Sequence, residues 1–341
     1  MIRPMPPGGL STIMKWMASS AVPVFWKMRL EMRNRTMRTT LIKTFVILVV
    51  ISGFQVFEAG ANEKMPVFVS IPPQKYFVQQ IGKDLVDVQV MVQPGADPHT
   101  YAPKPKQMAA ITRARIYFAI GVEFEAARLE KIVAVNPQID VVYTDHGIQK
   151  IPMSPPMHPD QDEHLDHNKN PEAGGQPKLG RPDPHIWLSP PLVVLQAQAI
   201  LKALQNADPA HRLQYEANYS AFVSDVMRLD AYIRDIFAER QGFQFMVFHP
   251  SWGYFAHTYG LKQVPIESEG KAPKPAQLKA LIMYARARNI KVLFVQPQFS
   301  AKSAELIAKE IDGQVVFADP LALDWSRNLR DVAAKFKAAL R

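Results

Sequence analysis

Cysteine is absent from all 341 residues. Its absence rules out disulfides and removes the lipid-bearing cysteine that anchors many exported binding proteins; histidine is left as the only strong nitrogen or sulfur ligand for a metal. Glycine is sparse at 16 residues. None forms a dinucleotide fingerprint, a Walker A loop or a Gly-x-Ser-x-Gly elbow, and no His-Glu-x-x-His is present, so the commonest nucleotide and hydrolase signatures are missing. The charge balance is short of acid, with a formal net charge of +9. That excess sits at the front of the chain. Residues 1–61 carry eight Lys and Arg against Glu31 and Glu58, leaving 32 basic and 29 acidic side chains in the other 280 residues. A nearly balanced body with a basic leader excludes nucleic acid as a partner.

The leader itself has the layout of an export signal. Arg35, Arg38 and Lys43 make a positive region, Thr44 to Phe57 an apolar run broken by Ser52-Gly53, and Ala59-Gly60-Ala61 a small-x-small cleavage site. The apolar run is shorter than the roughly 20 residues that span a bilayer. Cleavage is expected after Ala61, giving a soluble periplasmic protein without a membrane anchor. Residues 1–36, rich in Met and Pro, fit neither signal nor folded domain, and Met28, Met32 and Met37 are candidate true starts.

Beyond residue 62 the chain alternates strand-like and helix-like runs, the pattern of α/β layers. Strands are expected at 66–71, 86–92, 116–120 and 140–143, with helices at 74–81, 106–114 and 124–134 between them. Residues 152–182 break the alternation with Pro, Gly, Asp, His and Asn, and read as a loop insert. A helix at 190–205 follows. Asp208-Pro209 then opens a run without Gly or Pro to about Arg240, expected as one helix of roughly 48 Å with Asp208 as N-cap. A rod of that length can join two lobes. Alternation resumes at 244 and continues to a last helix ending near Leu340. The expected division is therefore a leader over 1–61, a first α/β lobe over 62–206, a linker helix over 207–241 and a second α/β lobe over 242–341.

Asp-Pro-His occurs twice, at Asp97-Pro98-His99 and Asp183-Pro184-His185, and Phe248-His249-Pro250 adds a third histidine. All three stand where strand-like runs give way to turn residues. Strand ends of an α/β protein converge on one crevice, and three imidazoles meeting there make a transition-metal site. Asp319, after the strand at 314–317, offers a carboxylate to complete a tetrahedron for Zn²⁺. Asp97 and Asp183 are read as Asx-turn residues, a role compatible with orienting the following ring. His158, His164 and His167 lie in the acidic insert, where they either hold metal weakly or are incidental to a solvated tract. His146, His211 and His257 are read as structural.

These residues carry a family resemblance. From about Val67 to Leu340 the chain resembles the solute-binding proteins of metal ABC importers, the zinc and manganese uptake cluster, and more closely its zinc branch. The motifs are Gly95-Ala96-Asp97-Pro98-His99-Thr100-Tyr101, Asp183-Pro184-His185-Ile186-Trp187-Leu188, Phe248-His249-Pro250-Ser251-Trp252-Gly253-Tyr254-Phe255, Pro273-Lys274-Pro275-Ala276-Gln277-Leu278, Gln296-Pro297-Gln298-Phe299-Ser300 and Asp319-Pro320-Leu321. The resemblance implies two α/β lobes joined by one rigid long helix, with the ion in the cleft between them. His99 and His185 match the ligands of the first lobe, His249 the third ligand and Asp319 the fourth. Manganese-type relatives look to have Glu in the third position; His249 gives three nitrogens and one oxygen, which favours Zn²⁺ over Mn²⁺.

The function expected is capture of Zn²⁺ and delivery to a membrane permease driven by an ATPase, without turnover. The rivals are a manganese- or iron-binding homologue, a zinc-buffering chaperone or adhesin without a transporter, and a zinc hydrolase with Asp319 or Glu267 as general base.

Overall fold

The computed structural model describes residues 63–153, 181–267, 273–297 and 301–339. The export signal, the insert histidines His158, His164 and His167, and Gln298 to Ser300 lie outside the described residues. Two four-stranded parallel sheets organise the chain from residue 63 onward.

The first sheet contains β1 (Met65–Val69), β2 (Val86–Val90), β3 (Ile116–Ala119) and β4 (Asp140–Tyr143), in the order β2-β1-β3-β4. Its helices are α1 (Pro72–Gly82), α2 (Pro105–Ile111) and α3 (Glu123–Val133). Strand β3 is buried along its whole length, as expected of a parallel strand covered by helices on both faces. Prolines stand in the first turn of α1 and α2, where the missing N–H has no partner to lose.

The second sheet repeats the plan with β5 (Gln244–Val247), β6 (Lys262–Pro265), β7 (Val292–Val295) and β8 (Gln314–Phe317), in the order β6-β5-β7-β8. The helices α6 (Gly253–Thr258), α7 (Pro275–Ala287), α8 (Ala301–Glu310) and α9 (Trp325–Ala339) alternate with these strands. Strand order reverses between β1 and β3 in the first sheet and between β5 and β7 in the second, so the crevice at the strand C-termini there is the expected place for a ligand.

Between the sheets run α4 (Pro190–Ala207) and α5 (Arg212–Phe237). The long helix is shorter than the sequence suggests: 26 residues, or roughly 39 Å at 1.5 Å per residue. Pro209–His211 forms a 3₁₀ turn ahead of it. Asp208 does not act as N-cap. Its carboxylate instead accepts from His211 Nδ1 at 2.7 Å and Tyr215 Oη at 2.8 Å, which pulls the entry turn tight before the α-helix begins. At the other end the chain leaves α5 into a turn that closes with Gly242 at φ 77°.

Helix α5 packs on α1 and α4 of the first lobe and on α9 of the second. Phe222 at its centre meets Phe77 of α1 at 5.9 Å, and Phe77 meets Trp325 of α9 edge-on at 5.1 Å. One hydrophobic core therefore runs from β1 through α5 to Phe245, Phe294 and Phe336 of the second lobe. A smaller cluster around Met246, Leu281 and Leu293 covers the other face of the second sheet. Among the described residues no helix is long and apolar enough to cross a membrane.

Candidate metal centre

Each lobe brings histidines to the cleft from the ends of its strands. The β2 strand runs into Asp97-Pro98-His99. Asp97 Oδ1 accepts the His99 N–H at 2.9 Å, and Oδ2 accepts the Thr100 hydroxyl at 3.2 Å, an Asx turn that fixes the loop. Tyr101 donates its hydroxyl to Gln107 at 2.6 Å, whose amide in turn donates to the carbonyls of Val90 and Met91. The His99 loop is thereby tied back to its own strand.

The second Asp-Pro-His repeats the turn. Asp183 Oδ1 accepts the His185 N–H at 2.9 Å, and here it also takes His185 Nδ1 at 2.7 Å. His185 is only 3% exposed. His249 follows β5 and is 8% exposed, with its Nδ1 bonded to Glu267, which follows β6. His99 Nδ1 lies 2.7 Å from Glu123 Oε2, at the start of α3.

The three imidazoles thus share one arrangement. Every Nδ1 is engaged by a carboxylate, and a ligand nitrogen from each ring falls within 4.8 Å of the others. His99 Nε2 and His249 Nε2 face each other at 3.0 Å. Carboxylates that take up the Nδ1 hydrogens leave the Nε2 lone pairs bare, and two bare lone pairs at that distance repel. The contact is favourable only with a proton or a cation between them. Tetrahedral Zn²⁺ with bonds of roughly 2.0–2.1 Å holds its nitrogens about 3.3 Å apart, a small adjustment from what is present.

The electrostatics point the same way. The second oxygens of Asp183 and Glu267 are buried and accept no hydrogen bond, a costly arrangement that a nearby cation offsets. Burial opposes charge on His99, but the Glu123 hydrogen bond and charge outweigh it and raise its pKa. Burial likewise opposes ionisation of Glu123, yet its bond to His99 wins and holds its pKa down at about 2. His249 goes the opposite way: deeper burial lowers its pKa, and Glu267 only partly compensates.

Of the four residues expected from the sequence, the structure brings His99, His185 and His249 together; Asp319 is not in that group. Asp319 Oδ1 accepts the Leu321 N–H at 2.9 Å, while its neighbours Pro320 and Leu321 line the cleft. Glu123 escaped the sequence reading, although it stands just past β3 as the histidines stand past β2 and β5. Glu267 was weighed only as a hydrolytic base. It is 2% exposed, and its Oε1 is engaged by His249 Nδ1.

The fold and site define a class: a two-lobed α/β protein that closes three imidazoles, backed by carboxylates, around a point large enough for one ion. Residues 67–339 match the family described as zinc-uptake complex component A, periplasmic. The chain belongs to that family, whose members are the zinc-binding components that deliver the ion to ABC importers. Among curated proteins it is 30% identical over 254 residues to the high-affinity zinc uptake system protein ZnuA of Bacillus subtilis (strain 168), covering 73% of this chain and 76% of that one. It is 27% identical to the iron-binding protein YfeA of Yersinia pestis over 72% of this chain and 74% of the other. Among solved structures, a crystal structure of ZnuA aligns with 43% identity and a TM-score of 0.72, over 82% of this chain and all of that one. A ZnuA deletion mutant solved with zinc bound aligns with 44% identity and a TM-score of 0.71, over 81% and 98%.

Proposed function

We propose that His99, His185 and His249 hold a single Zn²⁺ through their Nε2 atoms, with Asp319 as fourth ligand, and that the protein captures the ion in the periplasm and hands it to a permease and ATPase. The carrying observation is the convergence of three rings whose Nδ1 atoms all face carboxylates. Fixed tautomers and bare nitrogens are what a borderline-soft cation selects. Zinc is here the cargo, so tight capture must coexist with release. In this reading Asp319 exchanges the Leu321 N–H for the ion when zinc binds, and its neighbours Pro320 and Leu321 border the cleft. The charge-compensated trio carries out binding and no turnover. In this reading the mature chain begins after Ala61.

Metal content of the mature protein, with competition against a chromophoric zinc chelator, tests the reading. His185→Ala is expected to abolish stoichiometric zinc; full retention would refute it. Asp319→Ala is expected to weaken binding by a smaller factor, and an unchanged affinity would leave water as the fourth ligand. Loss of zinc-limited growth in a deletion strain separates an importer component from a buffer.

A further inference from the structure

The third imidazole is controlled from both flanking strands. Glu267, after β6, takes its Nδ1; Gln296, after β7, takes its peptide. Gln296 is 1% exposed and borders the cleft beside the three histidines. Its Oε1 accepts the His249 N–H at 3.2 Å, and its Nε2 donates to the His249 carbonyl at 2.7 Å and to Ser251 Oγ at 2.9 Å. A primary amide does both without titrating, accepting on one edge and donating on the other. The reversed amide would set oxygen against the His249 carbonyl.

Resting on the reading that His249 is a ligand, we propose that Gln296 is a positioning residue, which fixes the third ligand as an inward-pointing imidazole and so tightens the hold on zinc. The Gln296 clamp sets the backbone from which the ring projects, and Glu267 sets its rotation, so the Nε2 atom has little freedom to yield to a larger ion. The amide is also neutral. A carboxylate of the same size would turn acceptor against acceptor at the His249 carbonyl, tilt the ring, and add a second buried negative charge beside Glu267.

The test uses the mature full chain with Gln296→Glu, which keeps size and replaces the donor by an acceptor, and Gln296→Met, which keeps size and removes all three hydrogen bonds without charge. Zn²⁺ affinity is measured by chelator competition, and site geometry by the visible absorption of Co²⁺. Both variants are expected to lose roughly tenfold in zinc affinity, the scale found when residues orienting a ligand are removed. The cobalt band is expected to shift in both. Wild-type zinc affinity and cobalt absorption in both variants would overturn the proposal. Should Gln296→Glu fail to fold by circular dichroism, Gln296→Met decides alone. Zinc binding that survives His249→Ala undiminished would instead sink the ligand assignment itself, whatever Gln296 does.

Discussion

His99 illustrates how one pair of side chains sets both affinity and its pH dependence. Glu123 raises the His99 pKa against the effect of burial, so His99 keeps a proton to higher pH than a free imidazole near 6.5. Zinc must displace that proton. Affinity is therefore fully expressed above the raised value and falls as pH drops through it, by about tenfold per pH unit for one proton released. Zinc titrations at several pH values check this, and a flat profile would argue against histidine ligation. Glu123→Gln lowers the barrier to deprotonation but weakens the hold on Nδ1. The expected outcome is a midpoint shifted to lower pH with a loss of about 10- to 100-fold in affinity at high pH. Both readouts come from the same titration.

At the scale of elements, the approach of α6 to the His185 turn is the tightest constraint on the site. A Cβ built on Gly253 would lie 2.6 Å from Asp183 Oδ2. Gly253→Ala must push that carboxylate, and with it the His185 ring. A destabilisation of about 1–3 kcal/mol is expected for such overpacking, together with weaker zinc binding. Thermal melting and zinc titration of the same variant read the two effects. Helix α3 carries a second, separate titration. Glu125 accepts the N–H groups of Ile120 and Gly121, and burial raises its pKa to about 7. Its folded pKa exceeds the unfolded value, so the protonated acid is the form favoured in the fold. That stability is complete below about pH 4.5 and is lost as pH rises to about 7. At one pKa unit per 1.36 kcal/mol the difference is about 3 kcal/mol. Urea unfolding of the wild type against Glu125→Gln across this window isolates it, and parallel pH profiles would refute it.

Across the whole molecule the lobes are stitched together beside the histidine trio. Trp187 Nε1 donates to the Pro320 carbonyl and Trp325 Nε1 to the Trp187 carbonyl, both at 2.7 Å. Tyr254 Oη accepts the Ile151 N–H at 3.1 Å and donates to the Asp183 carbonyl at 3.0 Å, and Ser189 meets Thr258 at 2.8 Å. With α5 and a shared aromatic core behind them, these contacts leave little freedom for hinge closure. Solution scattering curves recorded with and without zinc are expected to superimpose; a clear compaction would contradict a preformed cleft. Trp325→Ala removes a ring buried against Tyr76 and Phe77. It is expected to cost about 3–5 kcal/mol. Near- and far-ultraviolet circular dichroism should still melt together, because one core serves both lobes.

Much of this was legible in the chain because it depends on local order. Strand and helix alternation follows hydrophobic period, so the succession from β1 to α9 could be read directly, and the Asx turns at Asp97 and Asp183 follow from side chains that bond two residues ahead. The trio could be anticipated because parallel strands deliver their C-terminal ends to one side. What stayed hidden depends on distance in space rather than along the chain. Glu123 and Glu267 find their rings 24 and 18 residues away, and Gln296 clasps a peptide 47 residues back; nothing in a Glu or Gln announces its partner. The 3₁₀ entry to α5 was decided by Tyr215 and His211 competing for the Asp208 carboxylate that would otherwise have capped the helix. Sequence by itself determined the donor chemistry, three imidazoles and no thiolate. Only the tertiary fold decided which nitrogen of each ring is bare and how tightly it is held, since both depend on charges that meet after the lobes have packed.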